Sequence, residues 1–125
     1  MKSQKKHPMP RRVVVTGIGA VAPNGIGTDA YCRALRDGVS GVATITLFKA
    51  DKFECRVAAE VKNFYSEDSL SRQEVRRVGR AVPLLLAATQ EALKQAGICW
   101  QRLLLEEKQS WGVVIGSGGG TPDFT

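Results

Sequence analysis

The residues best equipped for chemistry are three cysteines, one histidine and a cluster of arginines. Cys32, Cys55 and Cys99 are widely spaced, and the sole histidine, His7, lies in a basic stretch near the N-terminus. A cysteine nucleophile needs a base or an electropositive pocket to hold its thiolate. No Cys/His pair is expected here, and each cysteine reads as a small core residue. Their odd number and the lack of any CxxC pair argue against a zinc site or a disulfide framework. Reduced thiols in a cytoplasmic protein fit this usage. The arginines are Arg72, Arg76, Arg77 and Arg80, set against one acid, Glu74, for a local net charge of +3. Such a cluster is either a solvated helix face or a docking patch for an acidic partner.

Glycines supply a third candidate. Gly17 to Ala22, GIGAVA, matches the loose G-x-G-x-x-A pattern of dinucleotide-binding loops. That pattern requires a helix to open at once, so that its N-terminus meets the pyrophosphate. Pro23, Asn24 and Gly25 intervene, and the acid at the right distance, Asp37, closes a helix instead of a second strand. A tight loop that ends a strand is the better reading. Gly17 and Gly19 suit backbone with positive φ, or backbone that passes close to another segment.

The elements that must carry these residues follow from pattern. Val13 to Val15 read as a short buried strand that runs into the Gly/Pro turn. A helix capped by Thr28 or Asp29 and stopped by Gly38 places Tyr31, Ala34 and Leu35 on one face. Residues 38–53 read as a loop with a short extended piece, Glu54 to Val61 as a strand, and 62–70 as polar turn. Ser71 and Glu74 form an S-x-x-E capping box that opens a second helical region. Pro83 either separates a short basic helix from a longer one or sits in the first turn of the longer one. That longer helix, 80–96, is apolar nearly all round at its start, which predicts burial on every side. Its far end has Glu91, Lys94 and Gln95 outward and Leu93 inward, and Gly97 stops it. Residues 98–110 read as a polar loop anchored by Trp100 and Leu103 to Leu105. Trp111 to Ile115 form another buried-type strand, ending in the glycine run 116–120. Strands alternating with helices predict an α/β fold.

The totals bound the function. A chain of 125 residues with 43% apolar content is one domain's worth, or part of a larger one. No apolar run approaches membrane-spanning length, and the basic start has no apolar core to make it a secretory signal. Five of the six net positive charges fall in residues 1–12, as Lys2, Lys5, Lys6, Arg11 and Arg12. Residues 1–11 therefore read as a disordered basic leader, with no nucleic acid or membrane expected as partner.

Three motifs then carry a family resemblance. VVVTGIGAVAPNG with the following ALRDGVSGV, LSRQEVRR with the following ALKQAGI, and WGVVIGSGGGTPDF come in order and cover residues 11–125. Together they resemble the start of an elongating β-ketoacyl-acyl carrier protein synthase. The resemblance implies the N-terminal part of a thiolase-like layered α/β fold, incomplete in itself, with 12–125 as the N-terminal portion of a ketosynthase domain. In the complete fold, two similar halves sandwich a buried helix, which 80–96 would supply. It also implies decarboxylative condensation of an acyl chain with malonyl-acyl carrier protein, in fatty acid or polyketide synthesis, by a cytoplasmic homodimer without a cofactor or metal. Arg76 and Arg77 match the basic pair that meets acyl carrier protein, and Arg72 matches its leading arginine. Gln73 departs from the lysine often found there. Gly118 and Gly119 match a loop beside the acyl pocket, where some members place a bulky gate at the position of Gly119. The family's nucleophilic cysteine and two histidines fall beyond residue 125, and Cys32, Cys55 and Cys99 match none of them. No catalytic residue is therefore expected within this chain, and the alternative reading is a non-catalytic binding module.

Overall fold

The computed structural model of the protein describes residues 11–118. The expected leader, apart from Arg11, lies outside the described residues, as do His7 and Gly119. Within them the architecture is mixed helix and strand, an α/β arrangement with two small antiparallel sheets.

The Gly/Pro loop folds as a hairpin. β1 (Val21–Ala22) pairs with β2 (Gly25–Ile26) around Pro23 and Asn24, in the register Val21 to Ile26. Just before it, the backbone at Gly17 and Gly19 lies against the longest helix. A Cβ on Gly17 would collide with the Ala92 carbonyl oxygen, and one on Gly19 with that of Ala88. Neither glycine has positive φ, so close approach is what requires them. Ala88 and Ala92, one helical turn apart, are the small residues that make room.

α1 (Thr28–Arg36) begins after Gly27, whose φ is 89°. The expected Thr28 or Asp29 cap does not form. Gly27 holds the cap position, and the acceptor for the Thr28 N–H is the Glu91 carboxylate, reached across 63 positions. The helix stops as its glycine predicts. Gly38 takes φ 66°, its N–H donates to Leu35 O, and the Val39 N–H donates to Ala34 O at 2.8 Å. This 6→1 and 5→2 pair satisfies carbonyls that would otherwise be orphaned.

β3 (Val42–Thr44) is the extended piece of the 38–53 loop, and it pairs with β4 (Val57–Ala59) in the register Ala43 to Ala58. Immediately after β4, the buried Glu60 carboxylate accepts the Thr46 and Leu47 N–H groups and the Thr46 hydroxyl at 2.8–3.1 Å. A short 3₁₀ turn (Ser66–Asp68) then leads to α2 (Arg72–Val75). α3 (Ala81–Gln95) follows, with Pro83 buried in its first turn, where the missing N–H has no helical acceptor to leave empty. A 3₁₀ turn (Trp100–Arg102) and α4 (Leu105–Gln109) occupy the expected polar loop. Trp100 meets Trp111 edge to face at 5.6 Å, with Lys108 Nζ over the Trp100 ring at 5.5 Å.

Further expectations fail. Val13 to Val15 and Trp111 to Ile115 form no strand, and Val13 and Val114 are 92% and 100% exposed. A strand needs a hydrogen-bonded neighbour, and the described residues supply neither run with one. α3 is not covered on every side: Pro83 is its only buried residue and Leu85 is 41% exposed, because the loop and hairpin at 17–26 and the 63–69 segment beside them leave part of its surface bare. Leu104 and Leu105 are exposed and anchor nothing; the two tryptophans hold that region instead. Cys55 and Cys99 are exposed and Cys32 is half-buried, so two of the three thiols are not core residues. Among the described residues no helix is long and apolar enough to cross a membrane.

Candidate functional site

The arginine cluster is the site that the local sequence builds most completely. The Ser71 hydroxyl accepts the Glu74 N–H at 3.4 Å, while Glu74 Oε2 accepts the Ser71 N–H at 2.9 Å and its hydroxyl at 2.7 Å. The Ser71 hydroxyl first, and its N–H second, hold the Glu74 carboxyl below its ordinary pKa. The one acid in the cluster is thus engaged by the N-cap serine and not by the arginines.

Arg72 opens α2, Arg76 closes it with φ −71°, and Arg77 follows. Arg72 and Arg76 are four residues apart and share a side of the turn. All three expected docking residues are exposed, as is Gln73. Arg80 is exposed as well, but its Nη2 donates to the Val61 carbonyl at 2.8 Å. The structure therefore brings Arg72, Arg76 and Arg77 to one short capped element and commits Arg80 to a contact within the chain.

The glycine-run candidate is less developed. Gly118 is exposed at the end of the described residues, and Gly119 lies outside them. An open apolar cleft of about 440 Å³ lies elsewhere, between the Gly/Pro loop and α3, lined by Gly19, Val21, Tyr31, Leu84, Leu85 and Ala88. Among the described residues no group of three His, Cys, Asp or Glu side chains could hold a metal ion.

Sequence reasoning missed two carboxylates and an amide. Glu91 and Gln95 were expected to point outward. Instead Glu91 accepts the Ala20 N–H at 2.9 Å and the Thr28 N–H at 2.6 Å, and Gln95 Oε1 accepts the Ile18 N–H at 2.6 Å. They lie one turn apart on α3 and read the backbone of the loop that Gly17 and Gly19 press against the helix. Glu60 does the same for the 46–47 turn. The available signal was the loop itself, whose N–H groups needed acceptors that no strand offered.

Known proteins match this chain over the same stretch. The family model described as "Beta-ketoacyl synthase, N-terminal domain" matches residues 10–124. The 3-oxoacyl-[acyl-carrier-protein] synthase 2 of Synechocystis sp. is 37% identical over 110 residues, covering 88% of this chain and 26% of that protein. A Streptomyces halstedii protein, provisionally named polyketide beta-ketoacyl synthase 1, is 40% identical over 114 residues, covering 90% of this chain and 26% of its own length. Among solved structures, the ishigamide ketosynthase/chain length factor superposes with a TM-score of 0.66 at 34% identity, over 74% of this chain and 23% of that one. The chain spans about a quarter of the length of the curated relatives it matches. With its motifs, its mixed helix–strand architecture and a family match along nearly its whole length, the chain belongs to the β-ketoacyl synthase family, in the region of that family's N-terminal domain.

Proposed function

We propose that these residues are the N-terminal portion, 12–125, of a 3-oxoacyl-acyl carrier protein synthase with the layered, two-half thiolase-like fold. That enzyme would condense an acyl chain with malonyl-acyl carrier protein, releasing carbon dioxide, in fatty acid or polyketide synthesis. An acyl group would pass to a cysteine thiolate, and decarboxylation of the malonyl unit would give the enolate that attacks it, with histidines stabilising the charge. Those groups are supplied outside the 125 residues. The part played here is recognition. Arg72, Arg76 and Arg77 receive the acidic surface of acyl carrier protein, and Gly118 and Gly119 border the acyl pocket. A cytoplasmic homodimer is the expected working form.

The observation that carries the reading is the exposed arginine set on a capped turn whose only acid is engaged with its own N-cap. The names of the relatives, which specify an acyl-carrier-protein substrate, support it. An exposed ion pair contributes only about 0–1 kcal/mol, so several must act together. Reversing Arg76 and Arg77 to Glu in the full-length synthase should raise the KM for acyl carrier protein about tenfold. Acyl transfer from a small thioester should be unchanged. The effect should shrink with added salt, since the screening length is about 10 Å at 0.1 M. Equal losses with both substrates, or no salt dependence, would return these arginines to a solvated face.

A further inference from the structure

We infer that Arg80 is a positioning residue for the docking patch and not one of its charges, an inference that rests on the docking reading above. α2 has four residues, too few to stay helical in water unaided, so its direction is set by what holds its two ends. The N-terminal end is held by the Ser71–Glu74 box. Beyond the other end, the chain runs from Arg76 and Arg77 through half-buried Val78 and buried Gly79 to Arg80 at the start of α3. There the Arg80 guanidinium donates to the Val61 carbonyl, 19 positions back along the chain.

Val61 is a firm anchor. It follows Glu60, whose buried carboxylate is pinned by the Thr46 and Leu47 amides, and that node continues into the β3–β4 hairpin. Arg80 also lines a cavity of about 340 Å³ with Thr46, Leu47, Val61, Lys62 and Phe64, which places its side chain along this junction. The bond thus ties the α2–α3 connection to a fixed part of the fold. Arg76 and Arg77 lie only four and three residues before the tie, so their shared orientation depends on it.

Lysine separates the two roles. It keeps the charge, but its ammonium ends one atom short of the guanidinium nitrogens and lacks their planar fork. In the full-length synthase, Arg80→Lys and Arg80→Gln should both raise the KM for acyl carrier protein, by about two- to tenfold, as expected for one lost hydrogen bond. The kcat with a small thioester should stay at the wild-type value in both. A normal carrier KM in Arg80→Lys with a raised one in Arg80→Gln would make Arg80 a charge of the patch and overturn the inference. Parallel losses on the small thioester would overturn it in favour of a general folding role. Wild-type behaviour of both variants, alongside an effect of the Arg76 and Arg77 reversals, would defeat the inference and leave the docking reading standing. If those reversals also leave the carrier KM unchanged, the docking reading falls with it.

Discussion

Glu91 illustrates how one side chain can replace a missing strand. Its carboxylate takes N–H groups from Ala20 and Thr28, so it fixes both the hairpin entry and the start of α1. Those bonds, with the Thr28 N–H contributing most, outweigh the opposing effect of desolvation and hold its pKa below the ordinary carboxylate value. The sign follows directly. A carboxylate with a depressed folded pKa stabilises the fold fully above its unfolded value, about 4.3 for Glu, and loses that contribution as pH falls through the lower folded value. The facing groups around the same cleft are Tyr65, Asp68 and Lys94. Glu91→Gln keeps one neutral acceptor where two charged oxygens stood, and should cost about 1–3 kcal/mol at neutral pH. Hydrogen exchange in the full-length protein checks this: the Ala20 and Thr28 amides should lose protection in the variant, and in the wild type should lose it only in acid. Unaltered exchange at both amides would mean that the carboxylate is not their holding group.

At the scale of the element, α2 is the most economical piece of the structure, since a cap makes four residues into a defined turn. Ser71→Ala removes the acceptor for the Glu74 N–H and should loosen the arginine set. We expect the carrier KM to rise about two- to tenfold, with Ser71→Asn restoring it because asparagine also caps and adds no charge to the patch. A wild-type KM in the alanine variant would show that the patch is ordered without its cap. The same locality explains what the sequence revealed. The Ser71–Glu74 box and the glycine stops of α1 and α3 each depend on residues within one or two turns and formed as read, and Pro83 took the second of its two readings, the first turn of α3. The paired β4 also fell inside its expected run. Val13 to Val15 and Trp111 to Ile115 have strand composition, but composition cannot provide the neighbour that a ladder needs. Glu91 and Gln95 sit on the polar side of the helical pattern. Periodicity sorts side chains by polarity, and a loop whose bare amides need acceptors looks, to that pattern, like water.

The molecule as a whole buries little of its apolar surface. Among the described residues only Ala34 and Ala50 form a buried apolar core besides Pro83, while valines at 13, 15, 113 and 114 are more than 80% exposed. Fully burying one such side chain contributes roughly 1.5–3 kcal/mol, and a whole domain is stable by only about 5–15 kcal/mol. Four uncovered valines therefore forfeit an amount comparable with the entire stability of an ordinary domain. Carboxylate-to-amide bonds at Glu60 and Glu91 locate the loops, but each replaces bonds to water and cannot make up such a deficit. The 125-residue chain expressed alone should then show no cooperative thermal transition as a dilute monomer, and should bind a hydrophobic dye before any heating. Calorimetry on a sample shown to be monomeric by sedimentation decides the matter. A sharp two-state endotherm there would prove that loop-to-helix contacts of the kind Gly17 and Gly19 make with Ala92 and Ala88 stabilise the fold without cover for its valines.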